Sequence, residues 1–221
     1  MRLHRRATLP AATLFAAVLL VPALATPALA QLAGRAAEEW IKTLDAPTRI
    51  AAMRVPEIVA ALKITPGQTL ADVGAGSGAI SGPLAIATGP TGTMFAQDID
   101  KNLLAHIEQR AKAQHLDNIK IVLGTFTDPK LPAPVDLAFM NDVLHHVEDR
   151  ATYLKNLATY IKPGGRLAIV DYRPEFSPHK AQPELVVSEA QADGWLKAAG
   201  LVHAETLPLF EDRYYVIYRK P

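Results

Sequence analysis

The stretch Leu70-Ala-Asp-Val-Gly-Ala-Gly-Ser-Gly-Ala-Ile-Ser-Gly-Pro-Leu84 constrains the fold more than any other part of the chain. An apolar run over Thr69 to Val73 reads as a buried strand, followed by a loop with glycine at 74, 76 and 78 and then a helix from Ile80 to Thr88. Alternating glycines suit a loop that turns sharply and lies against a ligand with no Cβ in the way. The first turn of the following helix offers free N–H groups. A phosphate-cradling P-loop would need Gly-Lys-Ser/Thr at the end of this loop, and Ser77-Gly78-Ala79 has no lysine. The dinucleotide fingerprint would place its third glycine at 79, where alanine stands.

What remains is Asp-x-Gly-x-Gly-x-Gly, with Asp72 two residues before Gly74. This resembles the first motif of the class I S-adenosylmethionine-dependent methyltransferases. Their cofactor has no pyrophosphate but carries a sulfonium cation and an amino-acid end, so an acid in the loop is welcome. The resemblance covers about residues 64–221 and implies a Rossmann-like, doubly wound α/β fold. Its mostly parallel seven-stranded sheet ends in an antiparallel hairpin, and the cofactor lies at the C-terminal strand ends. It also implies cofactor contacts from Asp72, Gly74, Gly76 and Gly78.

The second strand, Thr93 to Gln97, ends at Asp98-Ile99-Asp100. An acid there can accept both ribose hydroxyls, and Ile99 can offer an apolar face to adenine. Asp98 or Asp100 can instead cap the helix from Lys101 to His115. With two acids available, one can cap while the other binds. After the third strand, Ile119 to Leu123, the family commonly has Gly-Asp-Ala. Here Gly124-Thr125-Phe126 stands, so the Thr125 hydroxyl or the Phe126 backbone would take the place of the acid that reads the adenine amine. The Phe126 ring can stack on the base or serve as ordinary core.

The fourth strand, Val135 to Met140, leads into Asn141-Asp142-Val143-Leu144-His145-His146. This is similar to the family's fourth motif, where the strand end meets the transferred methyl, and it assigns Asn141 to the cofactor and Asp142 to the reaction. The doubled histidine is expected to open the long helix through Ile161. Neighbouring histidines on a helix point about 100° apart, so they do not jointly face one metal. His145 is the candidate general base, and packing or capping by both histidines is the alternative. Asp142 and Asp171 end adjacent strands, as magnesium-dependent O-methyltransferases have them. Those enzymes follow the second acid with asparagine, Tyr172 stands there instead, and no metal is expected.

Lys162-Pro-Gly-Gly165, frequent in the family, turns into a fifth strand from Arg166 to Asp171. The Pro-rich stretch 173–187 is the candidate for acceptor selection. Ser188 to Gln191 caps a helix ending at Gly200, and Leu201 to Leu207 with Arg213 to Tyr218 forms the closing hairpin.

Residues 1–30 carry a basic start (Arg2, Arg5, Arg6), an apolar run from Ala11 to Val21 and an Ala-x-Ala site at Ala28 to Ala30. They read as a secretory signal peptide, so the product would be periplasmic or secreted, with no membrane span after cleavage. Without those three arginines the chain holds 20 Lys/Arg against 22 Asp/Glu, a balance that argues against nucleic acid as partner. Cysteine is absent, which excludes disulfides, thiolate zinc sites and thiol-dependent arsenite methylation. Residues 31–63 read as a helical cap. Trp40, Met53 or Arg54 would face the substrate if the cap is a lid; otherwise it packs on the domain edge. The expected activity is methyl transfer from S-adenosylmethionine to a small-molecule or lipid-like acceptor. The alternative is a degenerate form of the fold that binds a nucleoside or small molecule after export.

Overall fold

The computed structural model describes residues 37–221; the signal-peptide reading of 1–30 and the first residues of the cap lie outside them. Three short helices come first: α1 (Ala37–Leu44), α2 (Pro47–Met53) and α3 (Val55–Ala61). The sheet elements follow as β1 (Thr69–Val73), α4 (Ser81–Thr88), β2 (Thr93–Asp98), α5 (Lys101–Ala113), β3 (Ile119–Leu123) and β4 (Val135–Asn141). The chain closes with α6 (Arg150–Thr159), β5 (Ile161–Tyr172), α7 (Glu189–Ala198), β6 (Val202–Thr206) and β7 (Arg213–Arg219). The strand order is β3-β2-β1-β4-β5-β7-β6. The first five strands pair in parallel, and β7 runs antiparallel to both β5 and β6. This is the doubly wound sheet with a terminal hairpin that the sequence implies.

The strands alternate their side chains between two cores, as the two-residue period requires. Ala71, Val73, Met140, Leu167, Ile169 and Val216 pack with the apolar faces of α6 and α7. Leu70, Leu137, Phe139, Val170 and Tyr215 face the opposite way, with Ile58 of α3 and Leu84 of α4. The strand order switches between the parallel strands β1 and β4, which opens a crevice at their C-terminal ends, where such folds place ligands.

Local signals account for the helix starts. Asp100 caps α5 by accepting the Asn102 N–H, which leaves Asp98 for the glycine loop. Ser188 and Gln191 form a reciprocal capping box at α7.

Two expectations are corrected. The doubled histidine does not open the helix after β4. It sits on a separate 3₁₀ turn, Leu144–His146, and α6 begins at Arg150 with Asp149 as its cap. Asp142 takes a left-handed φ of 56° and Val147 is extended, so the chain changes direction on both sides of the turn. The fifth strand reaches back through Lys162-Pro-Gly-Gly165: Ile161 pairs with Val135, and the register shifts before Leu137 meets Arg166.

Candidate active site

The crevice is built around the glycine loop. Gly74 N–H donates to the Gln97 carbonyl at 2.9 Å, which folds the chain across the end of β2. Gly74 has φ +74°, and a Cβ there would lie 2.5 Å from Cγ2 of Val143, so both backbone and space demand glycine. Gly76 N–H donates to Oδ2 of Asp98 at 2.9 Å, while the other Asp98 oxygen accepts the N–H groups of Ile99 and Asp100. The acid expected to read a ribose therefore also sets the curvature of the loop. Gly78, against Ile107, shapes the loop from its far side and does not line the cavity.

Two buried carboxyls flank this loop. Asp72 is fully enclosed and accepts the Ser81 hydroxyl at 2.6 Å. Burial pushes its pKa up to about 7, against the Ser81 hydrogen bond, with a further push from the neighbouring Asp98. Asp98 is likewise raised by burial, opposed by the backbone donors it accepts. Two acids held above their ordinary range make a site that gains by receiving positive charge.

The N-terminal helices cover the loop. Leu44 Cδ1 would be 3.1 Å from a Cβ on Gly76. Asp45 accepts the Ser77 hydroxyl at 2.6 Å and the Arg110 guanidinium at 3.1 Å, and His106 lies 3.5 Å from its second oxygen. Arg49 of α2 reaches the end of β4, where Nη2 meets Oδ2 of Asp142 at 3.0 Å. Met53 lines the enclosed space, as one form of the lid expectation has it. Trp40 is not among the lining residues, and Arg54 turns away to Glu57 and the Leu209 carbonyl. Asp45, which the sequence offers as a helix cap, is used across the fold instead, and neither it nor Leu44 or Arg49 carries a local signal for these contacts, because their partners lie 32 to 93 residues away. The cavity they leave is about 70 Å³. Ligand pockets run to about 300–1,000 Å³, so the space beneath α1 and α2 is narrower than a nucleoside fills.

Asn141 and Asp142 close the far side of this cavity. Asn141 Oδ1 is buried with no hydrogen-bond partner among the described residues. Asp142 is paired with Arg49 and lies 3.7 Å from Nε of Arg213. Burial raises its pKa, while Arg213 and Arg49 oppose the rise. A carboxyl held between two guanidiniums ties α2 to the sheet and at the same time lines the cavity. Asp171, on the neighbouring strand end, is close enough to push the Asp142 pKa up further, while its own oxygens are engaged by His145.

Asp171, 1% exposed, clamps His145: one oxygen accepts the His145 backbone N–H at 3.1 Å and the other lies 2.6 Å from Nδ1. With Nδ1 so engaged, Nε2 is the free nitrogen, the arrangement a general base needs. His146 stacks at 4.1 Å between ring centroids, and His179 from the 173–187 stretch lies 5.2 Å from His145 and 5.3 Å from His146. The α-helical reading set the doubled histidine apart; off the helix, on a short 3₁₀ turn between the left-handed Asp142 and the extended Val147, the two ring centroids lie 4.1 Å apart. Burial, then the neighbouring His145 and His179, lower the His146 pKa to about 3.

The residues after β3 lie outside the cavity. Gly124 N–H donates to the Asp98 carbonyl, so Thr125 and Phe126 follow beside the end of β2. Thr125 Oγ1 is used within its own turn, against the Asp128 carbonyl and N–H. The Phe126 ring is 47% exposed, which rules out the ordinary-core reading. Ile99, half-buried, follows Asp98 on the same rim.

Residues 64–209 match the family model described as "Methyltransferase domain". The demethylmenaquinone methyltransferase of Geobacillus sp. is 30% identical over 111 residues, half of this chain and 47% of that protein. The 2-phytyl-1,4-naphtoquinone methyltransferase of Trichormus variabilis is 35% identical over 109 residues, 48% of each. This chain thus spans about half the length of the curated relatives it matches. A SAM-dependent methyltransferase from Aquifex aeolicus superposes with TM-score 0.75 at 24% identity, covering 85% of this chain and all of that one. Sheet order, glycine loop and family match agree, and the chain belongs to the methyltransferase-domain family.

Proposed function

We propose that this chain is an S-adenosylmethionine-dependent methyltransferase acting on a small-molecule acceptor. One observation carries the reading: two buried, charge-seeking carboxyls, Asp72 and Asp98, flank a glycine loop that has no lysine. That is the wrong charge for a pyrophosphate and the right one for a cationic nucleoside. The unpartnered Asn141 Oδ1 in the same cavity offers an acceptor to an ammonium group. The glycine cradle, which a Cβ at 74 would fill, gives the ligand room to approach the backbone.

Bound there, the cofactor supplies a methyl group activated by its positive sulfur. The protein's part is to hold, orient and exclude water. Asp98 offers its remaining acceptor capacity to ribose hydroxyls, and Ile99 and Phe126 offer apolar surface beside it. Leu44 and Met53 line the apolar side of the cavity and help keep water from the reacting end. His145, set by Asp171, presents Nε2 one strand further along the sheet, where an acceptor hydroxyl or amine would give up its proton.

The relatives named for demethylmenaquinone and 2-phytyl-1,4-naphtoquinone support an aromatic, lipid-tailed acceptor. Labelled methyl transfer to an extract of envelope lipids tests this; label confined to the aqueous fraction argues against it. The basic, apolar and Ala-x-Ala segments of residues 1–30 support export, and N-terminal sequencing of envelope protein should begin at Gln31. Among the described residues no helix is long and apolar enough to cross a membrane.

One observation favours a second reading. Thr125 replaces the family's acid and spends its hydroxyl on a local turn, as in a degenerate fold that only binds a nucleoside. Tight S-adenosylhomocysteine binding without transfer to any acceptor would support that reading.

A further inference from the structure

The three imidazoles beside the crevice suit a use that a proton shuttle does not explain. One ligand atom from each of His145, His146 and His179 lies within 4.8 Å of the other two. They come from two separate segments, the 3₁₀ turn after β4 and the stretch between β5 and α7, so chain proximity alone does not account for the meeting. Each is prepared as a ligand. Asp171 takes Nδ1 of His145, the carboxylate–histidine pattern that orients metal-bound imidazoles and raises their basicity. Gln182 Oε1 lies 3.4 Å from Nδ1 of His179, whose backbone N–H is held by Ser177 Oγ. His146 Nδ1 is buried with no hydrogen-bond partner among the described residues, a loss that a bound ion would remove.

The surrounding charges permit a cation. Asp171 supplies a buried negative charge directly behind His145. Arg49, the nearest opposing charge from the lid, is paired with Asp142. Arg150 is spent on the carbonyls of Leu144, His145 and Glu184.

We infer that His145, His146 and His179 bind one divalent transition ion of the imidazole-preferring class, with zinc as the representative, at the acceptor end of the crevice. Imidazole nitrogens do not suit magnesium or calcium, which take oxygen ligands. Tetrahedral zinc with nitrogens at about 2.0–2.1 Å sets them about 3.4 Å apart. The cluster therefore closes by up to about 1.4 Å on binding, a movement open to His179 on its half-buried loop. Three protein ligands leave a fourth position for water or an acceptor oxygen. The ion site stands on geometry alone; its use on an acceptor rests on the methyltransferase reading, and there it replaces His145 as the activating group.

The test is zinc uptake by the full chain, as metal content after dialysis and by competition against a chromophoric chelator. Cobalt substitution would report the geometry from its visible absorption. One zinc per chain is expected, with affinity falling at least 100-fold in H146A/H179A and unchanged in H203A, an exposed histidine at the far edge of the sheet. Circular dichroism and melting of each variant confirm the fold. No uptake by the wild-type chain, or uptake that H146A/H179A retains, overturns the inference. S-adenosylhomocysteine binding in the same samples reads the methyltransferase assignment separately, so the two can fail independently.

Discussion

Replacing Asp72 with asparagine should make the protein more stable and a poorer binder of its cofactor. Burial holds the Asp72 pKa at about 7 against an ordinary 3.8. Between those values the unfolded chain has released the proton while the native state keeps it, so stability falls as pH rises. The cost is absent below about pH 4, grows through neutrality and is complete above about pH 7. At about 1.36 kcal/mol per pH unit it reaches about 4 kcal/mol, a large part of the roughly 5–15 kcal/mol of a typical domain. Asparagine has the same shape, can still accept the Ser81 hydroxyl and never ionises. Urea unfolding of both proteins from pH 4 to 8 should show D72N gaining about 2–4 kcal/mol at pH 8 and nothing near pH 4. A cationic ligand reverses the balance by favouring the carboxylate. S-adenosylmethionine binding at pH 6 should then release protons, read by calorimetry in buffers of different ionisation enthalpy, and D72N should release close to one fewer than the wild type. A stability difference that ignores pH or grows toward acid would refute the reasoning.

Three further substitutions probe the crevice. Gly74→Ala combines a left-handed backbone cost of about 1–2 kcal/mol with overpacking of about 1–3 kcal/mol against Val143, and Val143→Ala in the same chain should recover the second part in urea unfolding. Asp45→Ala removes the acceptor shared by Ser77 and Arg110; at a half-exposed site this is worth about 1 kcal/mol, so amide exchange in α1 and α2 should speed up about fivefold while the sheet is unchanged. Asp98→Ala should cut S-adenosylhomocysteine affinity at least 100-fold, and unchanged affinity would remove Asp98 from the site.

The sheet was legible because its signals are local. The apolar runs of β1, β3 and β4, the glycine loop and the Ser188–Gln191 cap each occupy a few adjacent residues, and each was found within a residue or so. The lid contacts were not legible. Asp45 meets Ser77 and Arg110, and Arg49 meets Asp142, only once the chain has folded over the loop. The doubled histidine lies off the helix it was expected to open, for a different reason. A 3.6-residue period was carried through Leu144–His146, where the left-handed Asp142 and extended Val147 impose a tighter turn. His179 lies 33 residues further on in a proline-rich stretch without periodicity, so no spacing rule could have joined it to the pair.

The central claim is that the Asp72–Gly78 loop and Asp98 hold a cationic nucleoside cofactor. Calorimetric titration of the full chain with S-adenosylmethionine and S-adenosylhomocysteine tests it most directly. The account predicts one site, micromolar or tighter for both, with the demethylated product binding at least as well as the cofactor. No heat and no thermal shift from either compound at millimolar concentration would contradict it, and the loop would then be scaffold alone.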